Sequence, residues 1–173
     1  MTLIELMVAT CLGSVVLAAV MTLTVYSARS FAAVSNYVDL DMKSRNALDK
    51  MSQEIRQADG LTSLTASQLV FSGTDPLTLA AYSVTYSYNA GALTLTRKKS
   101  TDAQSQTLLT QCSALNWYMY QRNMTNGTDQ PIPTTDVSQC KLIKLTWICS
   151  RNILGKSLNT ESVQSAEIVI RKK

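Results

Sequence analysis

Residues 1–28 read MTLIELMVATCLGSVVLAAVMTLTVYSA, and this stretch decides the fold because it is apolar almost throughout. Glu5 is its only charged side chain. As a helix, residues 6–28 would span about 35 Å at 1.5 Å per residue, enough to cross a bilayer. A secretory signal peptide carries a basic segment ahead of a shorter apolar run, and no Lys or Arg precedes this one. The stretch predicts a helix that crosses or is stored in a membrane. A buried core helix is the alternative.

The helical pattern continues past the apolar stretch with no proline to interrupt it. Apolar residues recur at roughly helical spacing with charged residues between them, which predicts an amphipathic helix covering one face of a domain. The predicted apolar face consists of Phe31, Val34, Val38, Met42, Leu48, Met51 and Ile55. We expect one continuous helix over residues 2–58, with Gly13 and Ser14 as its possible weak point. Something other than the chain's own domain must cover its first half.

From residue 61 the pattern becomes strand-like. Residues 84–88 and 93–97 alternate on either side of a glycine-bearing turn at 89–92, which predicts a β-hairpin. Residues 68–71, 115–120, 142–148 and 166–171 predict further strands, whereas 123–139 and 152–165 read as polar loops. The expected fold is therefore α+β: a long N-terminal helix packed by its second half on an antiparallel sheet of five or six strands. Its segments are an apolar helix (1–28), an amphipathic continuation (29–59) and a β-rich head (60–173).

The net charge of +4 comes from the C-terminal part of the chain. Two basic clusters contribute much of it: Arg97, Lys98 and Lys99, and Arg171, Lys172 and Lys173. Such clusters can attract nucleic acid or an anionic surface, although a strand end and a solvated tail are the simpler explanation. The chain has no histidine, no phosphate-binding loop and no GxSxG motif, so neither enzymatic activity, a metal nor a cofactor is expected.

The four cysteines, at 11, 112, 140 and 149, show no zinc-like spacing. If 141–149 is one strand, Cys140 and Cys149 lie roughly 30 Å apart and cannot bond to each other. Antiparallel pairing of the strands near 115 and 145 would bring Cys112 toward Cys149. Side-chain parity instead groups Cys112 with Cys140, because Cys149 shares a face with apolar residues. On parity we predict a Cys112–Cys140 disulfide and a free, buried Cys149.

Glu5 needs a partner, because a carboxylate in hydrocarbon is costly when unpaired. The nearest positive charge is the α-amine of Met1, which lies at the i,i+4 spacing of a helical contact. The Met1 amine of a neighbouring copy is a better partner. Packing the apolar helices side by side would bury both charges and fix the register between copies. An acidic residue that happens to lie near a membrane interface is the alternative.

The run TLIELMVA at residues 2–9 resembles the mature N-terminus of type IV pilin-like proteins. The resemblance implies cleavage by a prepilin peptidase, N-methylation of Met1, insertion in the bacterial inner membrane, and assembly into a helical filament at the cell surface. It also implies that the helices pack in the filament core through Leu3, Ile4, Leu6, Met7, Val8, Leu12, Val15, Val16, Leu17 and Val20. The chain departs from the family at Met1, where phenylalanine is usual, and at Thr22, where a proline is common.

The later chain is similar to J-type pseudopilins of type II secretion and to W-type minor pilins. The similarity lies in residues 52–58, in the Tyr-rich hairpin ending at Arg97, and in residues 108–117. Three functions follow. The chain is a structural subunit of an extracellular filament, a low-abundance subunit that primes or caps its tip, or a subunit that binds a surface or DNA through its basic clusters. The expected partners are copies of itself, the pilus assembly machinery and other minor pilins.

Overall fold

One helix dominates the fold. The computed structural model describes residues 2–122, 130–151 and 161–171, and helix α1 occupies Leu3–Gln57. Its 55 residues make it about 80 Å long. It runs through Gly13 without interruption and ends at Ala58, whose backbone is extended. The predicted continuous helix is confirmed to within one residue at each end.

The chain after α1 first forms a five-stranded antiparallel sheet in sequence order. Its strands are β1 Gly60–Leu64, β2 Gln68–Thr74, β3 Ala81–Asn89, β4 Thr94–Lys99 and β5 Gln106–Thr110. The predicted hairpin is confirmed as β3–β4, with Asn89 opposite Thr94. The Asn89 side chain accepts hydrogen bonds from the N–H groups of Gly91 and Ala92 and so closes the turn.

A single residue, Gln111, carries the chain into a second sheet. Its φ of 61° is left-handed, which turns the backbone sharply between β5 and β6. The second sheet has the order β7-β6-β8-β9. Its strands are β6 Cys112–Gln121, β7 Ile132–Pro133, β8 Leu142–Ser150 and β9 Glu161–Val169, with a short 3-10 helix at Val137–Gln139 before β8. The paired strands are antiparallel.

The second half of α1 packs against both sheets, contacting β5, β8 and β9. The buried stripe on α1 consists of Leu40, Ser44, Ala47, Met51 and Ile55. Steps of three and four residues keep these side chains on one face of a helix. Buried side chains of both sheets join them in one core that includes Phe71, Leu95, Ile143 and Trp147. The predicted α+β layout, a long helix packed on an antiparallel β-rich head, is confirmed.

Several expectations need correction. Met51 and Ile55 face the core as predicted, whereas Phe31, Val34, Val38 and Met42 are exposed. The polar loop predicted over 152–165 is partly strand, because β9 already begins at Glu161; residues 152–160 lie outside the described ranges. Strands β1, β5 and β7 were not predicted.

The predicted Cys112–Cys140 disulfide does not fit the structure, because the two cysteines lie at opposite ends of the β6–β8 ladder. Cys112 lies directly opposite Cys149 in the β6–β8 ladder. Cys140 lies at the other end of β8, beside Leu142, and so roughly 30 Å from Cys149 along the strand. All four cysteines are free thiols in the structure. The alternation of side chains along β6 predicted the wrong pairing because Ser113 is an extra residue between two paired positions. This bulge places Cys112 on the same face as Cys149.

Candidate assembly surface

The described residues of the head do not cover the first half of α1. Residues 2–26 are all exposed, and each of the ten predicted filament-core side chains has between 53% and 78% of its surface exposed. These are Leu3, Ile4, Leu6, Met7, Val8, Leu12, Val15, Val16, Leu17 and Val20. The helix is long and apolar enough to cross a membrane, by length and composition. Such a surface is unfavourable in water and needs an apolar environment around it.

Several hydroxyls within this apolar half donate to the helix itself. Thr10 donates to the carbonyl of Leu6 at 3.0 Å, and Ser14 to that of Cys11 at 2.7 Å. Thr22 donates to the carbonyl of Ala18 at 2.6 Å. These bonds reduce the cost of placing hydroxyls in hydrocarbon or against another helix. At Gly13, the predicted weak point, an added Cβ would meet no atom within 4 Å.

A second exposed apolar feature lies on the second half of α1, on the face that points away from the head. At 100° per residue, Phe31, Val34, Val38 and Met42 fall on the side of the helix opposite the buried stripe. They are 76%, 59%, 49% and 57% exposed. We call these four residues the outer stripe. The exposed apolar surface of α1 therefore extends past residue 28, as far as Met42.

Glu5 takes part in a reciprocal cap at the start of α1. Its Oε2 accepts a hydrogen bond from the N–H of Thr2 at 2.7 Å, and the Thr2 hydroxyl oxygen accepts one from the N–H of Glu5 at 3.4 Å. This is a capping box, and a carboxylate there also suits the positive end of the helix dipole. Glu5 thus has a local role that the sequence analysis missed, although the spacing of Thr2 and Glu5 matches the motif. Met1, its predicted partner, lies outside the described residues.

The first basic cluster does not form a surface. Arg97 is 9% exposed and its guanidinium pairs with Glu54 of α1 at 2.8 Å and with Asp102. The Tyr86 hydroxyl donates to the same Glu54 carboxylate. Burial opposes the charge on Arg97, but the two carboxylates outweigh burial and raise its pKa. Arg97 anchors the helix to the first sheet, so its predicted place on a basic surface is wrong.

Two of the remaining basic residues, Lys99 and Arg171, lie near the same aromatic ring, that of Tyr82. Lys98 is exposed on the other side of β4, while the Lys99 ammonium lies 4.0 Å from the centre of the Tyr82 ring. Arg171 is exposed and lines a cavity with Arg56 and Tyr82. Lys172 and Lys173 lie outside the described residues.

Comparisons of the chain with protein-family models, with curated proteins and with solved structures find no match. The structural support for the resemblance is therefore limited to the architecture. One long, apolar N-terminal helix is followed by an antiparallel β-rich head, a layout compatible with that of pilin-like proteins. The helix near the N-terminus gives weak evidence for insertion in a membrane.

Proposed function

We propose that this chain is a structural subunit of a type IV pilus-like extracellular filament, with the helices of many copies bundled in the core and the heads outside. The observation that carries the proposal is the long exposed apolar surface of α1, which encircles the helix up to residue 26 and continues along the outer stripe to Met42. The resemblance of residues 2–9 to pilin N-termini supports the same function and adds processing and N-methylation at Met1.

A bilayer alone does not cover this surface. From Leu3 to Met42 the helix rises about 58 Å, whereas the hydrocarbon core of a membrane is about 30 Å thick. If residues 6–28 lie in the membrane before assembly, the outer stripe lies beyond it, on the face opposite the head. Helices of neighbouring copies would cover both regions at once, because the outer stripe continues the apolar surface along the helix axis.

Substitution in the outer stripe tests the filament core directly. Val38→Asp places a charge on this face without touching the head, so we expect membrane insertion and head folding to persist and sheared filament yield to fall more than tenfold. Val38→Leu keeps the face apolar and serves as the matched control. Filaments of normal yield from the aspartate variant would contradict the proposal that this face is buried in a filament.

Glu5 is proposed to set the register between copies by pairing with the Met1 amine of a neighbour. The capping box uses Oε2, and an ionised carboxylate can accept several hydrogen bonds, so one Glu5 can serve both roles. Three variants separate them. Glu5→Gln keeps an N3 residue able to cap but loses the charge. Thr2→Ala removes the reciprocal cap and keeps the charge. Glu5→Ala removes both.

If the charge sets register, Glu5→Gln and Glu5→Ala both lose filaments while Thr2→Ala assembles. If only the cap matters, Glu5→Gln assembles and Thr2→Ala shares the defect of Glu5→Ala, and the register proposal fails. Filament yield after shearing is the measurement. Tryptophan fluorescence of the membrane-extracted chain, which reports on Trp117 and Trp147 in the head, checks that each variant is folded.

A second candidate is a low-abundance minor pilin or a type II secretion pseudopilin that primes or caps the tip, which the similarity of residues 52–58 and 108–117 to J-type and W-type proteins favours. It uses the same apolar surface but needs few copies. Quantitative mass spectrometry of purified filaments separates the candidates, since a main subunit dominates the filament mass and a tip subunit is present once or a few times in each filament. The intact mass of the N-terminal peptide tests cleavage and methylation at Met1.

A further inference from the structure

Two of the three cysteines in the head meet across a strand pair. Cys112 opens β6 and Cys149 lies near the end of β8, and the two are direct partners in the antiparallel ladder. Both are buried, with 0% and 1% of their surface exposed. Cys140 is also buried, but it lies at the opposite end of β8. The fold therefore gives Cys112 one cysteine neighbour within the head.

The backbone geometry at this pair suits a covalent bond. The N–H of Cys112 donates to the carbonyl of Leu93, in the turn before β4, at 2.9 Å, and the neighbouring ladder bond runs from the Ser150 N–H to the Gln111 carbonyl at 3.0 Å. Cys112 and Cys149 thus form a non-hydrogen-bonded pair, in which Cα atoms lie about 4.5 Å apart and side chains approach closely. Disulfides span Cα separations of about 4.4–6.8 Å.

In the folded, reduced head the two thiols influence each other. A hydrogen bond between them raises the pKa of Cys112 and lowers that of Cys149. The Ser44 hydroxyl of α1 donates to the Cys149 sulfur at 3.8 Å.

We propose that Cys112 and Cys149 form a disulfide that ties β6 to β8 beneath α1. The bond forms by thiol–disulfide exchange with a low-molecular-weight disulfide such as oxidised glutathione. The thiolate of one of the two cysteines attacks one sulfur of this oxidant, forming a mixed disulfide and releasing one thiol. The thiolate of the other cysteine then attacks the protein sulfur of the mixed disulfide and releases the second thiol. The two cysteines lose two electrons and two protons, which reduce the oxidant to two thiols. Because both sulfurs are buried once the sheet is complete, the exchange takes place before β6 and β8 close.

The bond depends on the β6–β8 pairing alone, so its presence or absence leaves the filament proposal untouched. Trypsin separates the four cysteines, because cleavage after Lys and Arg places each on its own peptide. These peptides are residues 1–29 with Cys11, 100–122 with Cys112, 123–141 with Cys140 and 145–151 with Cys149.

The test refolds the full-length, reduced chain in detergent with oxidised glutathione, blocks remaining thiols with N-ethylmaleimide, and maps the digest without reduction. The expected result is peptide 100–122 joined to 145–151, with Cys140 blocked. Peptide 100–122 joined to 123–141, or all four cysteines blocked, would overturn the proposal.

Thermal unfolding of the same full-length protein gives a second measurement. Reduction of the wild type is expected to lower the unfolding midpoint by about 10 °C, since the bond restricts the unfolded chain. Cys140→Ala should keep this response to reductant, and Cys112→Ala and Cys149→Ala should each lose it. A midpoint that does not change on reduction of the wild type, or that changes equally in Cys112→Ala, would contradict the bond.

Discussion

The two halves of α1 share one helical backbone but depend on different surroundings. The second half buries Leu40, Ala47 and Met51 against the head and is fixed there by Glu54. The first half is exposed and is not covered by the part of the head that the structure describes, and hydroxyls such as those of Thr10 and Thr22 donate to carbonyls of the helix itself. Helix formation by itself is marginal in water without tertiary packing. The difference indicates that the first half is completed by a membrane or by other copies of the chain, and that the two halves respond to substitution in different assays.

The largest expected contrast is between the two glutamates at the ends of α1. Glu54→Ala leaves the buried Arg97 short of one partner and removes the acceptor of the Tyr86 hydroxyl. Breaking such a buried pair from one side is expected to lower the free energy of unfolding of the head by about 4 kcal/mol. Glu5→Ala should change it by less than about 0.5 kcal/mol, because Glu5 makes its described contacts at the far end of the helix.

Urea unfolding of the detergent-solubilised chain, followed by tryptophan fluorescence, measures both glutamate variants. The double variant Glu54→Met with Arg97→Met is the control. It removes both charges and keeps apolar volume, so part of the lost stability should return, although the Tyr86 hydroxyl still lacks its acceptor. Equal stability of Glu54→Ala and Glu5→Ala would show that the ion pair does not hold the helix on the head.

A matched pair of methionines tests the same contrast without charge. Met51 is fully buried and Met21 is 66% exposed. Met51→Ala should lower the free energy of unfolding of the head by about 3 kcal/mol, through lost burial and the cavity it leaves. Met21→Ala should leave head unfolding within about 0.5 kcal/mol of the wild type. A comparable loss from Met21→Ala in the same urea titration would mean that the first half of α1 also contacts the head.

The sequence could predict α1 because its signals are local: an apolar run, helical spacing and the absence of proline. The hairpin at 84–97 was equally accessible, since its turn residues and alternation lie within one short segment. The pairing of Cys112 with Cys149 was not, because it depends on one bulge residue in β6 that reverses side-chain parity. Periodicity also could not say which apolar residues of 31–55 face the head. The buried stripe and the outer stripe both have helical spacing, so spacing alone does not separate them. The side that is buried is set by where the sheets pack on α1.

In the candidate assembly surface, too, some features could be predicted from local sequence and others depend on distant partners. Composition alone identified the apolar surface of residues 3–20, whereas the role of Arg97 depends on a partner 43 positions earlier in the chain. In sequence, the run Arg97-Lys98-Lys99 resembles a basic surface. In the structure, side chains alternate along β4, and this alternation places Arg97 on the face toward the core. The capping box at Thr2 and Glu5 could be predicted from the spacing of these two residues.

The smallest expected effect on stability comes from a residue at the boundary between the two halves of α1, Asp39. Arg151, at the end of β8, contacts Asp39 at 2.6 Å and Asn36 at 3.1 Å, close to where the helix first meets the head. Hydrogen bonds from Lys43 and then from Arg151 lower the pKa of Asp39 below its ordinary value of 3.8. A carboxyl group with a lowered pKa in the folded state contributes stability above its unfolded pKa and loses it as the pH falls through the folded pKa. Unfolding titrations from pH 5 down to about pH 2 should therefore show a shallower loss of stability in Asp39→Asn than in the wild type.

The effect of salt on stability separates the ion pairs of Asp39 from a second carboxyl group, Asp75, whose pKa is also lowered in the folded protein. The pKa of Asp75 is lowered mainly by the backbone N–H groups of Leu77 and Thr78, in a turn beside the C-terminal end of α1 and far along the helix from Asp39. Salt at 1 M screens exposed charge pairs far more than local backbone hydrogen bonds. The difference between the wild type and Asp39→Asn should thus shrink at 1 M salt, while the difference between the wild type and Asp75→Asn should persist. If both differences shrink equally, the Arg151 contact is not what ties this part of the helix to the head, and the boundary lies further along α1 at the buried Leu40 and Ser44.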